Sequence, residues 1–188
     1  AGTLFLGASS AVRHVASFAA TSVTDSAVLG NRGVSGIDGC VSTATGVAIS
    51  AAAEGDGCVV ALVGDQSFLY DSNALLIPPT EAKMNLVVVV IDNNGGGIFS
   101  TLEQGAPQYA QYFDQVFGVP LDIDPTLVAA SLRANAVTVT TEDELAEALD
   151  KAIDGGLHVI TATSVDRVRE SEILVHIAQA VHEALSGS

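Results

Sequence analysis

The sequence has no tryptophan, and aromatic residues make up only 5% of its 188 residues. A core must therefore be built from valine, alanine, leucine and isoleucine. With 48% hydrophobic and only 15% charged residues, the composition excludes an intrinsically disordered chain. The length suits one domain of ordinary size. Because no linker or low-complexity segment stands out, we predict a single domain over residues 1–188.

Basic residues are also scarce. Seven lysines and arginines stand against 22 aspartates and glutamates, which gives a net charge of −15. Proteins that bind the phosphate backbone need a basic surface, so the composition excludes nucleic acid as a partner. The acidic excess favours a soluble, self-repelling protein, and a salt-rich host is a weaker interpretation. Any bound anion would have to be held by a few placed groups.

Long hydrophobic runs and cysteine networks are missing as well. The longest aliphatic run, Leu86–Ile91, is far shorter than the ~20 residues of a transmembrane helix. The sequence has no basic start followed by an apolar segment, so we expect no signal peptide. Cys40 and Cys58 are too few for a disulfide framework or a metal cluster. They are expected to be small buried hydrophobes in a reducing cytoplasm.

Short β-branched runs alternate with alanine-rich stretches along the chain. This alternation predicts an α/β fold, a parallel, doubly wound sheet with helices on both faces. The predicted strands are Thr3–Gly7, Ala27–Gly30, Cys58–Gly64, Asn85–Ile91, Ala136–Thr140 and Leu157–Thr163. The predicted helices are Ser10–Ala20, Val41–Ala53, Phe68–Leu76, Pro125–Ala134, Glu142–Asp154 and about Glu170 to Leu185. Thr141 and Glu144 form a capping box for the fifth of these helices.

In such sheets ligands bind beyond the carboxyl ends of the strands. Asp65 follows a strand that ends at Gly64, and it can hold a Mg²⁺ ion that binds phosphate. Asp65 as a plain helix cap is the alternative. Asn93 comes 28 positions later, just after the next strand, so both residues belong to one βαβ unit.

A carboxylate, an amide oxygen and a glycine carbonyl suit Mg²⁺. Asn93 and Gly95 supply the last two, within the segment Asp92–Gly97. The alternative for this segment is a turn, because Asn-Gly favours turns. Three glycines after two asparagines exceed what a turn needs.

The pairs Gly64-Asp65 and Asn93-Asn94 resemble the signature of thiamine diphosphate enzymes, with Gln66 in place of the usual glycine. The block Asn31–Gly39 resembles one branch of that family, the MenD synthases of menaquinone biosynthesis. Further segments that resemble this branch are Phe5–Arg13 (with Ala8 in place of an asparagine), Tyr70–Asn73, Asn94–Phe99 and Phe117-Gly118. The resemblance covers about Thr3 to Pro120 and implies the thiamine diphosphate-binding fold.

The resemblance implies a synthase that decarboxylates 2-oxoglutarate and adds the succinyl-semialdehyde carbanion to isochorismate. Thiamine diphosphate and Mg²⁺, or Mn²⁺, would be the cofactors. Family members have three domains, and this chain resembles only the C-terminal, diphosphate-binding one. The glutamate that activates the cofactor lies on the N-terminal pyrimidine-binding domain, so no catalytic set is complete here. The chain alone is expected to be inactive, as part of a cytoplasmic homo-oligomer, a dimer or tetramer.

The resemblance also assigns site residues. The implied metal ligands are Asp65, Asn93 and the Gly95 carbonyl, with Asn94 as the alternative to Asn93. The implied cofactor-binding residues are Gly64, Ser67, Ser35, Gly36, Ile37 and Asn94. The implied substrate-binding residues are Ser9, Arg13, Arg32, Ile98 and Phe99. Arginine pairs bidentately with carboxylates, which both substrates carry. The alternatives are an ordinary core role for Ile37 and a surface charge for Arg13.

Two other functions remain open from the sequence. One is a different thiamine diphosphate enzyme, such as a decarboxylase or acetohydroxyacid synthase, which would not share the block Asn31–Gly39. The other is a non-catalytic phosphate-binding α/β module, although neither a P-loop nor a G-x-G-x-x-G motif is present. A hydrolase is disfavoured because the chain has no G-x-S-x-G elbow. An upstream domain bearing the activating glutamate would decide the class.

Overall fold

The computed structural model describes residues 2–19, 26–34, 36–55, 57–81, 83–163 and 167–186. Its contacts divide the chain into two compact units. Unit 1 consists of Ala1–Asp92 and Ile123–Ser164, and unit 2 of Asn93–Asp122 and Val165–Ser188. The single-domain organisation stays a prediction.

Unit 1 contains a six-stranded sheet in the order β2-β1-β3-β4-β6-β5. The strands are β1 (Thr3–Leu6), β2 (Ala27–Gly30), β3 (Val59–Gly64), β4 (Asn85–Asp92), β5 (Asn135–Val139) and β6 (Gly156–Thr163). Every neighbouring pair is parallel. The predicted parallel α/β sheet is therefore confirmed.

Helices cover both faces of this sheet. The helices of unit 1 are α1 (Ser10–Phe18), α2 (Cys40–Glu54), α3 (Asp65–Asp71), α5 (Pro125–Ser131) and α6 (Glu142–Ala152). Side chains of α2, α3 and α5 pack with Val88 and Val90 of β4 in one core cluster. Side chains of α6 pack with Val87 and Val89 in the other. Alternate residues of β4 thus enter opposite cores, as a strand covered on both faces requires.

The strand bounds agree with the predictions to within one residue, whereas two helices begin three residues earlier than predicted. Helix α3 begins at Asp65 rather than Phe68, because the chain turns into helical geometry directly after the extended Gly64. It ends at Asp71 and continues as a 3₁₀ turn, Ser72–Leu75. The last helix, α7 (Arg167–Ser186), begins at Arg167 rather than Glu170.

The predicted capping box at the start of α6 is confirmed. Thr141 accepts a hydrogen bond from the Glu144 amide at 3.2 Å, and the Glu144 carboxylate accepts one from the Thr141 amide at 3.2 Å. The same carboxylate accepts a shorter bond, 2.7 Å, from the Thr140 amide. These hydrogen bonds, led by that of Thr140, lower the pKa of Glu144.

Both cysteines are free thiols. Cys40 is fully buried at the start of α2, as predicted, whereas Cys58 is half-buried at the edge of a core cluster. Burial raises the pKa of both thiols. In the part of the chain that the structure describes, no helix is long and apolar enough to cross a membrane.

Unit 2 is built from short helical turns and one long helix. The turns are Gly97–Thr101, Glu103–Gly105, Pro107–Tyr109, α4 (Ala110–Phe113) and a π-type turn, Asp114–Gly118. The long helix is α7, Arg167–Ser186. Phe117 lies at the centre of a small aromatic cluster, 5.5 Å from the ring of Phe99 and 6.2 Å from that of Phe113.

Replacing Leu86 in β4 tests the central role of this strand. Leu86 is fully buried, so Leu86→Ala should lower the free energy of unfolding by about 2–5 kcal/mol through lost apolar contact and a residual cavity. Leu127→Ala is the matched control, because Leu127 is 69% exposed, and it should change stability by less than about 0.5 kcal/mol. Urea unfolding measures both, and equal effects would contradict the assignment of β4 as the core strand.

Candidate functional site

Asp65 lies at the junction between β3 and α3. Gly64 is extended, and Asp65 is the first residue of the helix. Asp65 is only 7% exposed, and Ser67, two residues along, is 2% exposed. A buried acidic group at the carboxyl end of a parallel strand is a candidate for binding chemistry.

Gly64 leaves open space beside Asp65. An added Cβ at Gly64 would meet no described atom within 4 Å. Its φ of −81° is one that any residue adopts. Neither the backbone nor the described packing therefore requires glycine here. Space of this kind beside a carboxylate is what a closely approaching ligand needs.

The block Asn31–Gly39 is tied to the first turn of α2. The side-chain amide of Asn31 donates to the hydroxyl of Thr43 at 3.0 Å, and that hydroxyl donates to the Gly39 carbonyl at 2.7 Å. Asp71, at the end of α3, accepts bonds from the backbone amide and the hydroxyl of Ser42, both at 2.7 Å. The block and α3 are thus fixed to the same helix terminus.

The other predicted residues of unit 1 differ in their surroundings. Ser9 and Arg13 are brought together, because Nη1 of Arg13 donates to the backbone carbonyl of Ser9 at 2.6 Å. Arg13 and Arg32 are exposed, whereas Gly36 and Ile37 are half-buried. Ser35 lies outside the described residues.

In unit 2, packing explains the glycines that follow Asn94. The Gly96 amide donates to the Gly118 carbonyl at 2.7 Å. A Cβ at Gly95 would collide with that carbonyl, and a Cβ at Gly96 would collide with the Phe117 carbonyl. Gly95 also has a φ of +132°, which L side chains rarely adopt. The predicted segments Asn94–Phe99 and Phe117-Gly118 are therefore in direct contact.

The surroundings of the two asparagines differ. Asn94 is exposed with a φ of +56°, and both ends of its side chain bond to Asp122, at 2.7 and 3.3 Å. Asn93 is half-buried, and its Nδ2 donates to Oε2 of Glu170 at 2.7 Å. Among the described residues, no group bonds to Oδ1 of Asn93. The geometry thus favours Asn93 over Asn94 as the metal ligand, because the side-chain oxygen of Asn94 already accepts a hydrogen bond from Asp122.

The sequence interpretation missed the first turn of α7. Nη1 of Arg167 donates to the Asn94 carbonyl at 2.9 Å, and Nη2 pairs with the carboxylate of Asp114. The guanidinium also lies 5.9 Å from the centre of the Phe113 ring. The scarcity of basic residues, which drew attention to Arg13 and Arg32, should have drawn attention to Arg167 as well.

The donor types that the sequence predicts for the metal are those that Mg²⁺ prefers beside a diphosphate. Asp65 lies in unit 1, and Asn93 and Gly95 lie in unit 2. In the described ranges no three His, Cys, Asp or Glu side chains cluster as a metal site. The protein would thus supply a carboxylate, an amide oxygen and a carbonyl. Mg²⁺ bound in this way normally completes its shell with phosphate oxygens and water.

Residues 8–162 match the C-terminal TPP binding domain of the thiamine pyrophosphate enzymes. The chain belongs to this family. The match favours a thiamine diphosphate enzyme over an unrelated phosphate-binding module, and it confirms the fold that the sequence resemblance implied.

The similar proteins include synthases that share one name. The 2-succinyl-5-enolpyruvyl-6-hydroxy-3-cyclohexene-1-carboxylate synthase of Mycolicibacterium vanbaalenii is 46% identical over 155 residues, which is 81% of this chain. The synthase of the same name from Saccharopolyspora erythraea is 41% identical over 184 residues, which is 98% of this chain. The chain spans only 27% and 32% of the lengths of these two relatives.

A solved structure shows the same fold. Benzoylformate decarboxylase from Polynucleobacter necessarius superposes with a TM-score of 0.68 over 89% of this chain and 30% of its own. The two sequences are 22% identical.

Two glycine-to-alanine variants test the different reasons for glycine at these positions. Gly96→Ala should destabilise the protein by about 1–3 kcal/mol, because its Cβ meets a backbone carbonyl that cannot move aside cheaply. Gly64→Ala is the matched control and should change stability by less than about 0.5 kcal/mol, because its Cβ enters open space. The free energy of unfolding in urea checks both, and a large cost for Gly64→Ala would show that packing, not ligand access, requires that glycine.

Proposed function

We propose that the chain is the diphosphate-binding part of a thiamine diphosphate-dependent synthase of menaquinone biosynthesis. The reaction would decarboxylate 2-oxoglutarate and join the remaining four carbons to isochorismate. The similarity to synthases of that name, over up to 98% of the chain, carries this proposal. Because the chain spans about a third or less of those relatives, the activating glutamate would lie outside it. The working enzyme would be a cytoplasmic homo-oligomer.

In this proposal the metal is Mg²⁺, which Mn²⁺ could replace. Asp65, Oδ1 of Asn93 and the Gly95 carbonyl would hold it. Ser67 and the Gly64 backbone would bind diphosphate oxygens, and Ser35, Gly36, Ile37 and Asn94 would line the cofactor pocket. When bound, the thiazolium of the cofactor supplies an electron sink for decarboxylation and carbon–carbon bond formation.

The protein's own groups would orient the substrates. Arg13 and Arg32 would pair with substrate carboxylates, since a guanidinium binds both oxygens in a fixed plane. The bond between Arg13 and the Ser9 carbonyl supports a shared role for these two residues. Ile98 and Phe99 would form an apolar wall that excludes water. The packing of Phe99 on Phe117 supports a fixed position for that wall.

Asp65→Ala tests the metal assignment. Asp65 would be the only charged protein ligand, and the chain is otherwise strongly acidic. In the full-length protein, Asp65→Ala should weaken Mg²⁺-dependent binding of thiamine diphosphate by at least about 100-fold. Replacing a residue that only hydrogen-bonds to a metal ligand already lowers metal affinity roughly 10- to 100-fold.

Isothermal titration calorimetry measures this affinity. Asp150→Ala removes an exposed carboxylate from α6 and should leave the affinity unchanged. Equal cofactor affinity in wild type and Asp65→Ala would show that Asp65 is not a metal ligand.

Arg32→Ala tests the substrate assignment in the full-length enzyme. Loss of a charge-assisted hydrogen bond costs about 1.5–3 kcal/mol, so the KM for one carboxylate substrate should rise roughly 10- to 150-fold. Arg32→Lys should restore only part of this, because an ammonium cannot bind two oxygens in one plane.

Steady-state kinetics with each substrate, beside cofactor titrations, separate the possibilities. Affinities for Mg²⁺ and thiamine diphosphate should stay nearly constant in Arg32→Ala. Lys151→Ala removes an exposed cation of α6 and should change neither quantity. A variant with weakened cofactor binding and unchanged KM values would move Arg32 from the substrate site to the diphosphate site.

A further inference from the structure

Asn93 and Glu170 form a side-chain pair across 77 positions of sequence, within unit 2. Nδ2 of Asn93 donates to Oε2 of Glu170 at 2.7 Å, and both residues are half-buried. Glu170 lies in the first turn of α7. Neither its sequence surroundings nor the family resemblance pointed to this residue.

The chemistry of this pair orients the amide of Asn93. A side-chain amide has an oxygen acceptor at one end and a nitrogen donor at the other. An ionised carboxylate only accepts hydrogen bonds, so it selects the nitrogen end. Glu170 therefore keeps Nδ2 on its own side, and Oδ1, at the other end of the amide group, faces away from Glu170. Hydrogen-bond partners of metal ligands act in this way in many proteins.

Gly97 provides an independent observation of the same pair. An added Cβ at Gly97 would come within 2.5 Å of Nδ2 of Asn93 and 3.2 Å of Oε2 of Glu170. The third contact of that Cβ, at 3.5 Å, is with Arg167. The absence of a side chain at position 97 thus leaves room for the Asn93–Glu170 hydrogen bond.

The first turn of α7 also binds the glycine loop, residues 93–97, at a second point. Arg167 lies three residues before Glu170, and residues at this spacing share one face of a helix. Its guanidinium donates to the Asn94 carbonyl and pairs with Asp114, and its side chain is only 14% exposed. The loop therefore has its side chain at Asn93 and its backbone at Asn94 fixed by one turn of helix.

We propose that Glu170 is the positioning residue for the glycine loop. It holds the amide of Asn93 so that Oδ1 faces the Mg²⁺ of a diphosphate cofactor. This inference rests on the proposed function. It assigns α7 a role in metal affinity rather than in stability alone, with Arg167 as the second fixing point.

The first experiment measures the hydrogen bond without any metal. In full-length protein labelled with ¹⁵N-asparagine, Asn93→Ala identifies the side-chain amide signals of Asn93. Glu170→Ala should move those signals and speed their exchange with solvent, because the acceptor is lost. Glu170→Gln should restore slow exchange, because its amide oxygen also accepts from Nδ2. Unchanged signals in Glu170→Ala would overturn the proposal.

The second experiment measures the affinity for Mn²⁺ in the presence of thiamine diphosphate by electron paramagnetic resonance. Glu170→Ala should raise the Kd of Mn²⁺ roughly 10- to 100-fold, and Glu170→Gln should recover most of the affinity. Glu172→Ala is the matched control, because Glu172 lies on the same helix and, among the residues that the structure describes, pairs only with the exposed Arg169, at 3.2 Å. It should leave the Kd unchanged.

Asp65→Ala separates the two proposals. If Asp65→Ala loses Mn²⁺ and Glu170→Ala does not, the positioning role is wrong and the proposed function stands. If neither variant changes the Kd, the metal assignment fails and the positioning role fails with it. Should Glu170→Ala prove unstable in urea, Gly97→Ala disturbs the same hydrogen bond with Glu170 in place. It should also raise the Kd, and a wild-type Kd in folded Gly97→Ala would overturn the proposal.

Discussion

Burial of β4 on both faces is the constraint on which the rest of unit 1 depends. Its residues from Leu86 to Val90 are inaccessible or nearly so, and alternate side chains enter the two core clusters. Pairing with β3 sets Gly64 opposite Ile91, so the two strands end at the same edge of the sheet. Asp65 directly follows one of these strands, and Asn93 directly follows the other. Burial and register thus set the ends of β3 and β4 side by side, and a polar residue follows each strand in the sequence.

Two buried carboxylates of α3 serve different purposes within this frame. Asp71 accepts two hydrogen bonds from Ser42, which fixes α3 to the start of α2. A buried carboxylate that accepts two hydrogen bonds of this kind holds its neighbours in place. Asp65, at the opposite end of the same short helix, lies beside the open space at Gly64. Asp71 therefore holds α3 and α2 together, and in our proposal Asp65 binds the metal.

Local patterns predicted much of unit 1 and little of unit 2. The apolar runs around Val60 and Val88 and the capping box at Thr141 are contiguous signals, and the structure agrees with them. The contacts of the glycine loop are not contiguous. Gly96 meets Phe117 and Gly118 more than 20 positions later, so a turn and a packed loop look alike in sequence. The choice between Asn93 and Asn94 likewise depends on partners, Glu170 and Asp122, that no local spacing reveals.

The scarcity of cations limits how this acidic chain could bind anions. Four of its seven basic side chains already bond to other described groups: Arg13, Lys151, Arg167 and Arg169. The side chains of Arg32, Lys83 and Arg133 have no hydrogen-bond or ion-pair partner among the described residues. Of these three, only Arg32 lies in the block Asn31–Gly39 that resembles the synthases. A diphosphate on such a surface calls for a divalent cation, since acidic side chains repel it. In our proposal Mg²⁺ meets that requirement, and Arg32 is left for a substrate carboxylate.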